Sequence, residues 1–212
     1  MASTTKPTSL PPCKRYILGH DDAGKSIILP SPDQVYHGRE GTGGLARSYA
    51  VSSVPALLAG DADVKAYMEP DPKQSVTSHL ATDIVVANQK GAAMLVVDLA
   101  PGGESQMHQT VSIDFSICVQ GLINMELDGG EMIYLKPGVS VMIRCLRVVA
   151  DVLQDHVIQR GTMHKWYNAS KTEPARFLGI TMPCEPFEIA GKKLEEVHVK
   201  GTGALKPDGS RL

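Results

Sequence analysis

Three residues in this chain have the types and settings that chemistry needs: His108, Asp114 and His164. His108, Thr110, Ser112 and Asp114 share parity, so an extended stretch turns all four to one side. Ile113, Phe115 and Ile117 then take the other side, which leaves one polar face and one packing face. A polar face directed into a barrel makes a ligand site rather than plain core. His164 comes from the later stretch Gly161-Thr-Met-His-Lys-Trp-Tyr-Asn168, in which Gly161 suits a tight approach. Two imidazoles and one carboxylate converging on a point form the 2-His-1-carboxylate pattern. That pattern suits iron(II), manganese, nickel or zinc, with positions left open for substrate or water. Without a metal, His108 or His164 moves protons and Asp114 orients it. The bland alternative is a pair of ordinary barrel-mouth histidines. Thr110, Ser112, Gln159, Trp166 and Asn168 complete the expected pocket.

The remaining candidates carry less. His20, His37, His79 and His198 sit in polar or turn-like contexts and read as surface residues. His156 starts a strand, and parity allows it to line the same interior. Ser48 and Ser112 lack a nucleophile elbow, which argues against triad hydrolysis. Gly41-Thr-Gly-Gly44 has no following lysine or helix and does not cradle phosphate. Cys13, Cys118, Cys145 and Cys184 form no C-x-x-C pair and no zinc spacing. Reduced cysteines and the absence of an apolar leader in MASTTKPTSLPPCKR point to the cytoplasm.

The elements that must position these residues are short strands. With 212 residues the chain is long enough for one domain with a real core. At 42% hydrophobic and 21% charged it has ordinary globular composition. A formal charge of -2 gives nucleic acid no electrostatic footprint. No apolar run reaches the roughly 18 residues that a membrane helix needs. Residues 1–14 read as a disordered tail, and 15–90 as strands and loops packing on the barrel, with a helical turn at 55–60 and a polar loop at 60–82. From Gly91 to about residue 187, apolar or alternating runs are cut by Gly and Pro turns, the mark of an antiparallel barrel or sandwich. Residues 188–212 read as an extension that ends in a frayed polar tail. Val139 to Gln154 breaks the rhythm, being too apolar for an exposed insertion.

The stretch Gly102-Gly-Glu-Ser-Gln-Met-His108-Gln-Thr110-Val-Ser-Ile-Asp114, closing on Gly121, resembles the first motif of the cupin superfamily. His108 matches its first histidine, Thr110 stands at the second, and Asp114 stands at the glutamate. Gln159-Arg-Gly161-Thr-Met-His164-Lys-Trp-Tyr-Asn168 resembles the second motif, with Gln159 in place of the usual proline. The resemblance covers Gly91 to Pro183 and is to small single-domain cupins of fungal secondary metabolism. It implies an all-β fold, the double-stranded β-helix or jelly-roll-like barrel, and often a homodimer. It also implies that Leu135-Lys-Pro-Gly138 runs straight into Asp155. Val139-Ser140, Ala150-Asp151 and Gln154 are compatible with codons for an intron start, branch point and end, so 139–154 reads as a retained intron.

Three functions follow as expectations. The leading one is a small-molecule tailoring enzyme of lyase or isomerase type, acting by dehydration, decarboxylation or isomerisation of an oxygenated, polyketide-like intermediate. It works with or without a divalent metal held by His108, Asp114 and His164. The alternatives are a metal-dependent dioxygenase and a non-catalytic small-molecule-binding cupin.

Overall fold

A computed structural model describes residues 6–39, 41–86, 90–138 and 154–202. Their β-branched and alternating runs form fifteen strands, most of them ended by a glycine or proline turn. A first hairpin joins β1 (Ile17–His20) to β2 (Ser26–Leu29), its turn held by the Asp21 carboxylate, which accepts from the Ala23 and Lys25 amides. The main body uses β3 (Tyr36–Arg39), β4 (Gly43–Val51), β5 (Ala92–Leu99), β6 (His108–Gln109), β7 (Ser112–Gln120) and β8 (Ile123–Leu127). It continues with β9 (Met132–Leu135), β10 (His156–Arg160), β11 (His164–Asn168) and β12 (Ala175–Pro183). The C-terminal segment adds β13 (Glu188–Ile189), β14 (Lys192–Lys193) and β15 (Val197–His198).

These strands make two facing antiparallel sheets, in the orders β10-β7-β12-β5-β4-β3 and β15-β6-β11-β8-β9. This is the antiparallel sandwich expected from the turn rhythm, in the all-β, double-stranded β-helix form that the cupin resemblance implies. The core lies between the sheets: Cys118 and Phe177 come from one, Ile123, Met125 and Trp166 from the other. The inward face changes character along each strand. On β7 it runs from Asp114 and Ser116 to Cys118, and on β11 from His164 to Trp166. One end of the sandwich is therefore apolar and filled, while the other is polar and hollow. Gly121 makes the return between β7 and β8 at φ +77, where a Cβ would sit 2.8 Å from the Ala175 Cα.

Three expectations change. Residues 6–14 are not a loose tail. Leu10 is buried, Thr8 Oγ donates to Asp98 at 3.1 Å, and Arg176 donates to the Pro11 carbonyl at 2.8 Å. The polar stretch after residue 60 contains a helix, α1 (Ala62–Met68), led in by a 3-10 turn at Ala59–Asp61, whereas the helical turn expected at 55–60 is not formed over 55–58. Buried Tyr67 anchors α1 by donating to the Arg47 carbonyl. Arg47 in turn donates to the carbonyls of Val76 and Asp83, pinning the excursion against β4. His156 is exposed, because inward parity on β10 falls on Gln159. The described part of the C-terminal extension, expected as an amphipathic piece ahead of a frayed tail, folds back onto the barrel through β15, and residues 203–212 lie outside the described residues. Leu194 is buried beneath Gly161, whose φ is +63 and whose Cβ would lie 2.7 Å from Leu194. Residues 139–153 of the anomalous stretch lie outside the described residues.

Candidate active site

The hollow end of the sandwich encloses a cavity of about 110 Å³. β6 and β11 bring His108 and His164 to it from one sheet, directly opposite each other in register. β7 brings Asp114 from the other sheet, flanked by Gln159 on β10 and Thr181 on β12. The shared parity of His108 to Asp114 thus places all of them inward, although the chain passes from one sheet to the other between β6 and β7.

The two imidazoles lie 4.3 Å apart, centroid to centroid. Each Nδ1 faces a backbone carbonyl, His108 that of Gln106 at 2.8 Å and His164 that of Thr162 at 2.9 Å. A carbonyl only accepts, so each Nδ1 carries the hydrogen and each Nε2 is left with a lone pair. Burial holds both rings neutral: it lowers the His108 pKa, and it lowers that of His164 to about 3, with nearby His108 adding to the effect. Asp114 responds in the opposite sense. Burial pushes its carboxyl up to about 6, and hydrogen bonds from Ser112 and Thr110 offset part of that rise. Its Oδ1 is buried with no hydrogen-bond partner, and the same is true of Gln159 Oε1.

The other expected pocket residues divide. Thr110, Gln159 and Trp166 line the cavity. The indole of Trp166 stacks on Phe177 at 4.6 Å and meets His164 edge-on at 5.7 Å. Ser112 lies behind the wall, its hydroxyl bonded to that of Thr110 at 2.7 Å. Asn168 is not a pocket residue: its amide donates to the carbonyls of Leu99, Ala100 and Glu173, and its oxygen accepts from the Ser170 amide. It is a clip between β11 and two loops, which explains an asparagine at that place without any ligand.

His198, expected at the surface, lines the cavity instead, because β15 folds back onto β6. β15 pairs with β6 so that His164, His108 and His198 form a row across three strands. The His198 ring stacks on His108 at 5.7 Å and 9°, and its Nε2 meets Glu196 Oε1 at 3.0 Å. The available signal is the alternation Val197-His-Val199, a strand pattern in an otherwise polar segment.

The donor set was compared with what a metal needs. His108 and His164 offer two anchored imidazoles of the kind that ligate metals, with Nδ1–H fixed by a carbonyl. Among the described residues, however, no three His, Cys, Asp or Glu side chains gather in an arrangement that could hold a metal ion. Asp114 faces the histidines across the cavity instead of joining them.

No protein-family model matches the chain. Phomopsin biosynthesis cluster protein C′ of Diaporthe leptostromiformis is 33% identical over 92% of this chain and 92% of its own length. A cupin-domain-containing oxidoreductase of Aspergillus ruber is 29% identical over 85% of this chain and 77% of its own. Among solved structures, a protein with a double-stranded β-helix domain from Klebsiella pneumoniae covers 51% of this chain and 75% of its own at 17% identity and a TM-score of 0.36.

Proposed function

The chain belongs to the cupins of fungal biosynthetic clusters, and from that premise we propose that it is a tailoring enzyme working by proton transfer on a small molecule in the cavity. The observation that carries this reading is Asp114: a buried carboxyl on the cavity wall whose Oδ1 has no partner. As the carboxylate it takes a proton from a carbon of the substrate, and as the acid it returns one. A pKa of about 6 lets one group do both near neutral pH. The Nε2 lone pairs of His108 and His164 accept hydrogen bonds from substrate hydroxyls and fix its orientation. The reaction class is lyase or isomerase: loss of water, loss of carbon dioxide, or migration of a double bond in an oxygenated intermediate. The experiment is a metabolite comparison between the host strain and one carrying Asp114→Asn. The intermediate that accumulates should differ from the normal product by the elements of water, by carbon dioxide, or by rearrangement alone. A difference of two hydrogens or of added oxygen would refute the reading.

A second reading has support from two sides, the paired imidazole lone pairs and the oxidoreductase name of the Aspergillus ruber relative. Here His108 and His164 would supply two ligands to a divalent iron, manganese, nickel or zinc ion and substrate or water the rest, because Asp114 stands across the cavity from them; the ion would supply Lewis-acid or dioxygen chemistry. Elemental analysis of the purified protein tests it, with His108→Ala as the control. Near-stoichiometric metal that the variant loses would favour this reading over the first.

A further inference from the structure

The cavity wall has an unusual polar inventory. Its buried unpartnered polar atoms are acceptors, Asp114 Oδ1 and Gln159 Oε1, and two histidines whose Nδ1–H groups are committed to carbonyls add Nε2 acceptors. Much of the nearby donor capacity is turned to the protein itself: the Thr110 and Ser112 hydroxyls share a bond and serve Asp114, Thr181 donates to the Ile84 carbonyl, and Gln159 Nε2 donates to Ser116. No lysine or arginine appears among the described residues that line it. The other acid on the wall, Asp98, is neutralised by Arg176 at 2.5 Å. The rest is apolar, led by Leu95, Val97, Trp166 and Phe177.

One wall residue lacks a side chain for no backbone reason. Gly179 on β12 lies between inward Phe177 and Thr181 and lines the cavity. A Cβ there would find nothing nearer than Leu95 Cβ at 4.0 Å, and the position has no positive φ. A strand interior is weakened by glycine, so the absent side chain corresponds to space kept open.

Resting on the cavity being the substrate site, we infer that its ligand is an uncharged, ring-sized, mostly apolar molecule that presents hydroxyl donors, and that Gly179 sets the room for its ring. At about 10–15 Å³ per water-sized position, the cavity admits on the order of ten non-hydrogen atoms. A carboxylate or phosphate finds no cation here and meets Asp114, which disfavours loss of carbon dioxide among the three reactions and leaves loss of water or double-bond migration. An ether of the same shape leaves buried acceptors unmatched, which weakens binding about tenfold or more.

The test uses the single tryptophan of the chain, Trp166, as reporter, with three probes: benzyl alcohol, methyl benzyl ether and benzoate. Benzyl alcohol should change Trp166 fluorescence saturably and bind about tenfold or more tightly than either other probe. Gly179→Val should abolish that response while leaving the melting temperature and near-ultraviolet dichroism unchanged or improved. Gly179→Ala, which adds only the Cβ, should weaken it by a smaller factor and serves if the valine variant does not fold. Benzoate or the ether binding as tightly as the alcohol would overturn the ligand class while leaving the cavity as the substrate site. Full binding in both Gly179 variants would overturn the role of that glycine. Silence from all three probes would overturn the inference together with the reading on which it rests.

Discussion

Asp114 answers to folding and to chemistry in opposite ways. Its pKa is raised by burial from 3.8 to about 6, so the folded state binds the proton more tightly than the unfolded one. Stability from this group is therefore present at low pH and is lost as pH rises from about 4 through about 6, by a few kcal/mol in order of magnitude. Asp114→Asn should raise the melting temperature at neutral pH and change it little below about pH 4, as a pH series of thermal melts will show. The same variant should lose turnover by about a hundredfold or more, together with the rise in rate through about pH 6 expected of the wild type. His164 pulls the other way. Its pKa falls from 6.5 to about 3, so the stability it supports is present above about 6.5 and is lost as pH drops toward 3. His164→Asn should flatten that acid limb in the same melts. Between about pH 4 and 6 the two slopes oppose each other, and each variant uncovers the other. At this scale the sequence was informative about His108, Asp114 and His164, because parity and motif spacing both bear on them. It was misleading on His198, read as a surface residue, and on Asn168. Stacking across three strands leaves no local trace, and an asparagine that clips loops looks the same in sequence as one that binds a ligand.

Among the elements, the flanks of the anomalous stretch make a specific prediction. The Asp155 amide donates to the Lys136 carbonyl at 3.1 Å, and the Lys136 amide donates to Asp155 Oδ2 at 2.9 Å. If Gly138 were joined to Asp155, the first of these would be the closing bond of a β-turn, with Pro137 and Gly138 at its two central positions. Those residues are the preferred pair for a type II turn. A chain lacking 139–154 should therefore fold with an equal or higher melting temperature and unchanged far-ultraviolet dichroism. Loss of the folded state on deletion would show that the stretch belongs to the fold. Sequencing the transcript asks the separate question of whether it is translated. The strands from β5 to β12 were legible because period-two alternation and turn residues persist over several residues. α1, with seven residues, and β15, with two, are too short to carry a period.

For the molecule as a whole, one buried ion pair joins segments that local reading cannot connect. Arg176 meets both Asp98 oxygens, at 2.5 and 2.7 Å, and also reaches the Pro11 carbonyl and the Tyr36 hydroxyl. It ties the N-terminal segment, β3, β5 and β12 into one body. Asp98→Ala leaves the guanidinium buried without its counter-charge and should cost about 3–5 kcal/mol. The double variant Asp98→Ala/Arg176→Met should recover part of that loss in denaturant melts, because no charge is then stranded. A pair separated by 78 residues offers no pattern to a reader of the sequence, whereas the layered all-β architecture does. The central claim concerns what the assembled cavity does: it moves protons and leaves the oxidation level of its substrate alone. Its most direct test is dioxygen consumption measured alongside turnover of the intermediate that accumulates in the Asp114→Asn strain. The account predicts full conversion by the wild-type protein with no oxygen uptake, and no conversion by the variant. Oxygen consumed in proportion to product would contradict it.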